Sequence, residues 1–512
     1  MRVVFRVDSS LQMGTGHVMR CLTLADALQR KGCEIHFVCR ELPGHVIAMV
    51  ERSGHGVSRL PAPAADQDKG DLTATAHTSW LGVPWEDDAR ETLRALDEIY
   101  GVDWLVVDHY ALDARWERSL RKAAGKIMVI DDLADRPHDC DLLLDQNFRS
   151  NSAGYEQLVP TGCECLLGPR HALLRPEFAE LHPLALDKQK YVGDVRKVLV
   201  FLGGGDSENV TERVLDVVSA LAWKDVSIEV VLGAANPHRE RLLDRYRESQ
   251  QIQFHVHTPH MASLMLDADL SIGAGGGALW ERCCLGLPCI VTAIGFNQEE
   301  VARQLARHGA ILYAGPHKTV SADRWRACLE VAFGFAELRD AMRQRAVELV
   351  DGLGAARVAS RMLGAGVTLR PVTLEDGPLI FGWRNQPQTR QFFHNPEPLE
   401  LSGHMEWLQN SLNDPNRHIL LGCVGDQPFG VIRYDVVAGQ ALVSIYLDPE
   451  WTGFGMGASL LHCGTAWAKE SMSGVRMLCA EVLSGNEASV NAFHNAGYVL
   501  EKSTFVCPIA EN

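Results

Sequence analysis

Glycines, a histidine and carboxylates recur in this chain where an apolar run passes into a helix-forming segment. The first such place is Met13-Gly14-Thr15-Gly16-His17-Val18-Met19-Arg20. Val3 to Asp8 before it reads as a buried strand, and Cys21 to Leu28 after it as a helix. Gly14 and Gly16 between strand and helix can turn backbone N–H groups toward a phosphate. His17, at the mouth of the loop, has the side chain for proton transfer near neutral pH. The same residues also make a plain tight turn with an incidental histidine. A second place is Gly275-Gly276-Gly277 ahead of Ala278 to Cys284, where N–H groups of Gly276 and Gly277 can meet a diphosphate. Glu281, one turn on, can accept from ribose hydroxyls or complement the helix dipole. Gly204, within Gly203-Gly204-Gly205 after the run 198–202, is a third glycine of this kind. The fourth place is Leu447-Asp448-Pro449-Glu450-Trp451-Thr452-Gly453-Phe454-Gly455-Met456-Gly457, whose alternate glycines offer successive N–H groups to a pyrophosphate without a Cβ in the way.

The elements that must position these residues follow from hydropathy. Apolar strands at 34–39, 103–108, 126–130 and 141–145 end in polar residues and alternate with helices, one of them from Glu86 to Tyr100. That pattern predicts a parallel sheet with its ligand site at the carboxyl edge. Residues 61–85 read as an irregular excursion rich in Pro, Ala, Asp and Thr. A second α/β unit begins near Lys197, with strands at 198–202, 227–232, 253–256, 269–272 and 289–292. Two doubly wound units with facing glycine loops predict a ligand between them. After Gly364-Ala365-Gly366 a smaller α+β pattern begins, with strands at 418–424, 429–436 and 441–447. The expected domains are 1–190, 191–364 and 366–512.

Length and composition bound the rest. The chain has 512 residues, enough for about three domains. It is 46% hydrophobic and 22% charged, as soluble globular proteins are. A net charge of −16 argues against a broad nucleic-acid or anionic-membrane surface, while leaving room for one phosphorylated ligand held by amides. The fourteen cysteines include no Cys-x-x-Cys, which fits reduced, buried thiols. Cys163-Glu164-Cys165 and Cys283-Cys284 lack zinc-ligand spacing, so no metal is expected. Arg6 and Asp8 interrupt the only early apolar run, and no stretch is long enough to span a membrane. A cytoplasmic protein without membrane insertion is expected; oligomeric state is open.

Several motifs together carry a resemblance. Gly14-Thr15-Gly16-His17-Val18-Met19-Arg20, Asp108-His109-Tyr110, Ile130-Asp131-Asp132, Leu144-Asp145-Gln146-Asn147, Leu167-Gly168-Pro169 and Gly275-Gly276-Gly277-Ala278-Leu279-Trp280-Glu281-Arg282-Cys283 with Asn297-Gln298 resemble a UDP-sugar hydrolase family of the GT-B fold. That family acts in the pseudaminic-acid pathway and releases UDP from a 2,4-diacetamido-2,4,6-trideoxy-L-altrose nucleotide. The resemblance covers residues 1–345. It implies His17 as the base toward water, Tyr110 and Asn297 lining the anomeric centre, and Glu281 on the ribose. Read alone, Tyr110 is equally an aromatic closing the core, and spacing does not separate water from a sugar acceptor. Asp131 is expected to cap or brace the cleft.

The second glycine series, with Asn486-Glu487-Ala488-Ser489-Val490-Asn491-Ala492-Phe493-His494-Asn495-Ala496-Gly497-Tyr498, resembles the GCN5-related N-acetyltransferases over residues 368–508. Trp383-Arg384-Asn385 fits the subgroup acting on amino sugars and protein N-termini. The resemblance implies acetyl-CoA as co-substrate, held by Leu447, Gly453, Gly455, Met456, Gly457 and Asn486. Thr452 stands where Arg or Gln is usual, and Phe493 where a tyrosine acid is frequent. Phenylalanine has no proton to give, so His494, Tyr498 or water has to serve; His494 also reads as an exposed helix residue.

The fold expected is therefore α/β, a GT-B-type pair of Rossmann-like domains followed by an α+β GNAT domain. The expected function is bifunctional. The C-terminal domain acetylates the 4-amino UDP-sugar, and the N-terminal pair hydrolyses the product to sugar and UDP. The alternatives are a GT-B glycosyltransferase with an appended acetyltransferase, or a hydrolase with a non-catalytic acetyl-CoA or sugar-binding module.

Overall fold

Strands that are apolar along their whole length form the centres of two parallel sheets, because helices cover both faces. The computed structural model describes all residues except 64–76, 149–153, 188–192, 222, 224, 234–235, 365–366, 426, 454 and 501–512. The chain divides into two compact units, Met1–Val358 and Ala359–Asn512. The expected boundaries at 190/191 and at 365 fall outside the described residues, as does much of the excursion at 61–85.

The first sheet contains β1 (Arg2–Val7), β2 (Glu34–Arg40), β3 (Gly56–Leu60), β4 (Val102–Asp108), β5 (Ala124–Ile130), β6 (Leu142–Asp145) and β7 (Glu164–Leu167). Their order is β3-β2-β1-β4-β5-β6-β7, all parallel. The second sheet contains β8 (Lys197–Phe201), β9 (Ser227–Leu232), β10 (Ile252–Val256), β11 (Leu270–Ala274), β12 (Cys289–Ala293) and β13 (Leu312–Pro316). Their order is β10-β9-β8-β11-β12-β13. In each sheet the chain leaves its first strand to one side and returns to the other, which opens a crevice at the carboxyl edge. Separate apolar clusters fill the two lobes, one around Leu105 and Trp116 and another around Val200 and Ile272.

The second unit holds β14 (Val367–Pro371), β15 (Arg417–Val424), β16 (Gln427–Val437), β17 (Gln440–Leu447) and β18 (Met477–Cys479) in sequential order. Pairing is antiparallel through β17 and parallel between β17 and β18. The parallel pairing covers only Gln440 to Leu442, so the remainder of β17, to Leu447, diverges from its neighbour. A gap in a sheet exposes backbone N–H and C=O groups to any extended ligand that enters it.

Among the described residues, no helix is long and apolar enough to cross a membrane.

Candidate active sites

The register of the first sheet assembles the first site. Val7 at the end of β1 pairs with Asp108 at the end of β4, and Val107 pairs with Val129 of β5. The segments that follow these three strands therefore emerge side by side. The helix after β1 begins at Gly16, earlier than the sequence predicts, so His17 stands in its first turn. Arg20 and Cys21, three and four residues on, share that face.

All three reach Asp108, which is fully buried. His17 Nδ1 lies 2.6 Å from Asp108 Oδ1, and Arg20 donates to both carboxylate oxygens at 2.7 Å. Cys21 Sγ is 3.4 Å from Oδ2. Burial alone would raise the Asp108 carboxyl, but the Arg20 and His17 charges outweigh it and hold it well below the usual range. An ionised carboxylate only accepts, so His17 Nδ1 carries the hydrogen of that contact. His17 also lies 3.2 Å from Arg20 Nη2 and meets the Tyr110 ring edge-on with centroids 4.6 Å apart.

Tyr110 donates to Asp132 Oδ1 at 2.5 Å, and Arg20 Nη1 donates to Asp132 Oδ2 at 3.0 Å. Burial, then Asp132, pushes the Tyr110 phenol well up, so it keeps its proton. From the second lobe, Asn297 Nδ2 donates to the Tyr110 oxygen at 3.3 Å. The three residues expected at the anomeric centre are thus brought together. Asp131 is turned away from them: Arg136, the Tyr155 hydroxyl and the Ala134 N–H hold it at 2.8–2.9 Å, which makes it a brace.

The second lobe presents its own loops. Phe201 pairs with Gly273 and Ala274 with Thr292, so the segments after β8, β11 and β12 lie adjacent. A Cβ on Gly204 would sit 3.8 Å from Thr15 Oγ1, which puts the glycine turn after β8 opposite Gly14 and Gly16. Gly14 has a left-handed φ of 72°, unfavourable for any side chain. Behind Gly276 and Gly277, Gln298 Oε1 accepts from the N–H groups of Gly275 at 3.2 Å and Ile294 at 3.1 Å. Glu281 is part-buried, raised by burial and opposed by Arg175, whose guanidinium is 3.5 Å away. Asp108, Arg20, Asp132 and Gln298 complete this site without having been named from sequence as functional. All four lie inside the motifs that carry the resemblance, Asp108 and Asp132 at or after strand ends and Arg20 and Gln298 early in helices.

In the second unit, Leu447 ends β17, and Gly453 and Gly455 have left-handed φ values of 82° and 77°. The helix Met456–Ser471 starts directly after Gly455. Met456 is fully buried, so only its backbone is available to a ligand. A Cβ on Gly457 would lie 3.3 Å from the Ala492 Cβ, so this glycine also lets the two last helices pack closely. Asn486 caps the helix Glu487–Asn495 by accepting from Ser489 N at 3.1 Å. His494 is exposed, whereas Tyr498 is half-buried with its hydroxyl 3.1 Å from Thr465 Oγ1.

A further cluster lies on the helices before β15. Arg384 is buried, with its guanidinium carbon 3.5 Å from the Phe393 ring centroid and Nη2 donating to Asn395 O at 3.2 Å. Among the described residues, its Nη1 and His404 Nε2 have no hydrogen-bond partner. Burial lowers both pKa values, and Arg384 lowers that of His404 further. Phe381 and Trp407 flank His404 at 5.5 and 5.3 Å, and Tyr446 stands 5.9 Å from Phe393. Aromatic walls with an uncompensated cation suit a flat or anionic guest. From sequence, only Arg384 was signalled, inside Trp383-Arg384-Asn385.

Among the described residues, no group of three or more His, Cys, Asp or Glu is placed to hold a metal ion.

Comparison with known proteins bears on both units. Residues 197–318 match the glycosyltransferase family 28 C-terminal domain, and residues 367–499 the GNAT acetyltransferase domain. The UDP-2,4-diacetamido-2,4,6-trideoxy-beta-L-altropyranose hydrolase of Campylobacter jejuni is 27% identical over 310 residues, 60% of this chain and 97% of that protein. An uncharacterized protein of Methanocaldococcus jannaschii is 24% identical over 431 residues, 82% of this chain and 80% of its own. The first unit spans 358 residues of the 512, so this second match reaches into the second unit. The crystal structure of Acinetobacter baumannii MurG superposes with a TM-score of 0.50 at 13% identity, covering 70% of this chain and 98% of that one. That likeness establishes a shared fold.

Proposed function

We propose that this chain, a fusion of a GT-B part with a GNAT acetyltransferase domain, carries out two consecutive steps on one nucleotide sugar. The second unit acetylates the 4-amino group of UDP-4-amino-4,6-dideoxy-N-acetyl-L-altrosamine. The first unit then hydrolyses the resulting UDP-2,4-diacetamido-2,4,6-trideoxy-β-L-altropyranose to the free sugar and UDP. The observation that carries the hydrolase reading is the His17–Asp108 pair at 2.6 Å, set beside Tyr110 and opposite the glycine turns of the second lobe.

In this reading water attacks C1 while His17 Nε2 takes its proton. The C1–O bond breaks with its electron pair going to UDP, whose charge the N–H groups of Gly276 and Gly277 receive. Glu281 accepts from the ribose hydroxyls. In the second unit the sugar amine attacks the thioester carbonyl and gives up a proton to water, the C–S bond breaks, and the thiolate takes a proton from Tyr498 or water. Tyr498 is the better placed of the two named acids, because His494 faces solvent. Acetyl-CoA enters between the diverging strands β17 and β18, with its pyrophosphate on the amides of residues 453–457. Arg384 and His404 line the acceptor side.

Mass spectrometry of products from the 4-amino UDP-sugar, with and without acetyl-CoA, tests this. Free diacetamido sugar, UDP and CoA are expected only when acetyl-CoA is present. If UDP appears only after a sugar acceptor is added, the first unit is a glycosyltransferase. Thr452 and Phe493 favour a second reading, in which the GNAT unit binds without turnover. Acetyl-CoA binding with no free CoA released from the amino sugar would establish that reading.

A further inference from the structure

Arg282 plays no part in the steps above, yet its setting is costly. It lies in the helix Ala278–Cys284 with none of its surface exposed. Its Nη2 donates to the carbonyl of Ala274, the last residue of β11, and the Cys289 thiol is within reach of the guanidinium, while among the described residues Nε and Nη1 have no nitrogen or oxygen partner. The neighbouring carboxylate, Glu281, makes its ion pair with Arg175 at 3.5 Å and feels the Arg282 charge only as the weaker of the two. Two thiols lie close, Cys283 and Cys289. Burial pushes both up, Cys289 to about 11 even with Arg282 opposing, so both are neutral at pH 7 and neither balances the charge. A guanidinium does not give up its proton, and burying it without a counter-charge opposes folding.

Gly273 records the same arrangement. A Cβ there would overlap the Arg282 guanidinium. A glycine inside a central strand weakens that strand, so this one is explained by the arginine it admits. The glycine run 275–277 continues directly from the carbonyl that Arg282 holds. The N–H of Gly275 is taken by Gln298 Oε1 and the Thr292 carbonyl, so those of Gly276 and Gly277 are the ones the proposed nucleotide would meet.

We infer that Arg282 is a positioning residue for the diphosphate, a fixed cation beneath the run 275–277 whose counter-charge is the bound nucleotide. It holds the Ala274 carbonyl and adds a positive field that a neutral nucleoside does not feel. This rests on reading that run as the nucleotide site.

Titration calorimetry on the full chain tests it with UDP and uridine as probes. Arg282→Met is expected to weaken UDP on the order of tenfold or more while uridine changes less than about twofold, because only UDP carries the diphosphate charge. Arg282→Lys, which keeps the charge, is expected to recover most of the UDP affinity. Equal weakening of UDP and uridine in the Met variant overturns the inference in favour of a purely structural role. If that variant does not fold, the Lys variant decides: UDP and uridine weakened alike overturn the inference, and UDP affinity within about threefold of the parent supports it. A parent protein that binds neither probe would instead overturn the nucleotide-site reading itself.

Discussion

Buried arginines in the first lobe and in the C-terminal unit live under opposite electrostatic conditions. In the first lobe Arg6 meets Asp8 at 2.6 Å and Asp88 at 2.5 Å, Arg40 meets Asp88 at 2.7 Å, and Arg20 meets Asp108 and Asp132. Trp116 Nε1 adds a bond to Asp88 at 3.0 Å. In the C-terminal unit Arg384 has an aromatic face and one carbonyl, and the adjacent His404 leaves a ring nitrogen unbonded. Compensated networks fix geometry, because removing one member strands the rest. An uncompensated cation is a standing demand for an anion. In the first lobe Arg20 and Asp108 hold His17 in place, whereas Arg384, on the proposed acceptor side, has no carboxylate beside it among the described residues.

Substitutions can break this contrast. The largest effect is expected for His17→Ala, which should lower kcat about a thousandfold, in the range of lost general-base catalysis, with UDP affinity nearly unchanged. A variant with near-normal turnover removes His17 from the mechanism. Next, Asp88→Ala should cost about 3 kcal/mol of stability by stranding Arg6 and Arg40, as read by denaturant unfolding. Burial would raise the Asp88 carboxyl, but Arg6 and then Arg40 bring it down to about 2. The unfolded value is about 3.9, so its stabilisation is present above about pH 4 and is lost as pH falls toward about 2. Scanning calorimetry from pH 5 to pH 2 should show that slope weakened in Asp88→Asn. In the C-terminal unit the sign reverses. Arg384→Met should leave stability unchanged or raised while increasing KM for the UDP-linked amine about tenfold and sparing KM for acetyl-CoA. Marked destabilisation would mean that Arg384 is structural and the contrast false. The smallest effect is expected for Glu281→Ala, a several-fold loss of uridine affinity, on the order of 1 kcal/mol for hydrogen bonds to ribose. Unchanged affinity would remove Glu281 from the ribose.

The central strands were legible because burial on both faces makes them uniformly apolar. The strands that sequence reading passed over, β3, β7, β13, β14 and β18, all lie at sheet edges. There one side is free, and sequences such as Gly-Val-Ser-Arg-Leu and Leu-Tyr-Ala-Gly-Pro carry polar or turn-forming residues. In the site, His17 and the glycines were visible from type and place. Asp108 and Asp132 were not, since an acidic residue at a strand end looks alike whether it binds, caps or orients. Only the register of β1, β4 and β5 shows that Arg20 bridges the two. Arg384 showed only within Trp383-Arg384-Asn385 and His404 not at all, because what sets them apart is hydrogen-bond partners they lack among the described residues, and a sequence cannot display an absence.

The Tyr110 hydroxyl has one consequence for which molecules can enter. Its proton is committed to Asp132 and one lone pair to Asn297. A guest approaching that oxygen must therefore bring its own hydrogen. Hydroxyls and acetamido N–H groups meet the condition, whereas a carboxylate or a bare carbonyl meets a repelling lone pair. In the proposed hydrolase reading, this phenol with its hydrogen pinned from behind would meet the sugar as an acceptor, facing one of its hydroxyls or acetamido N–H groups.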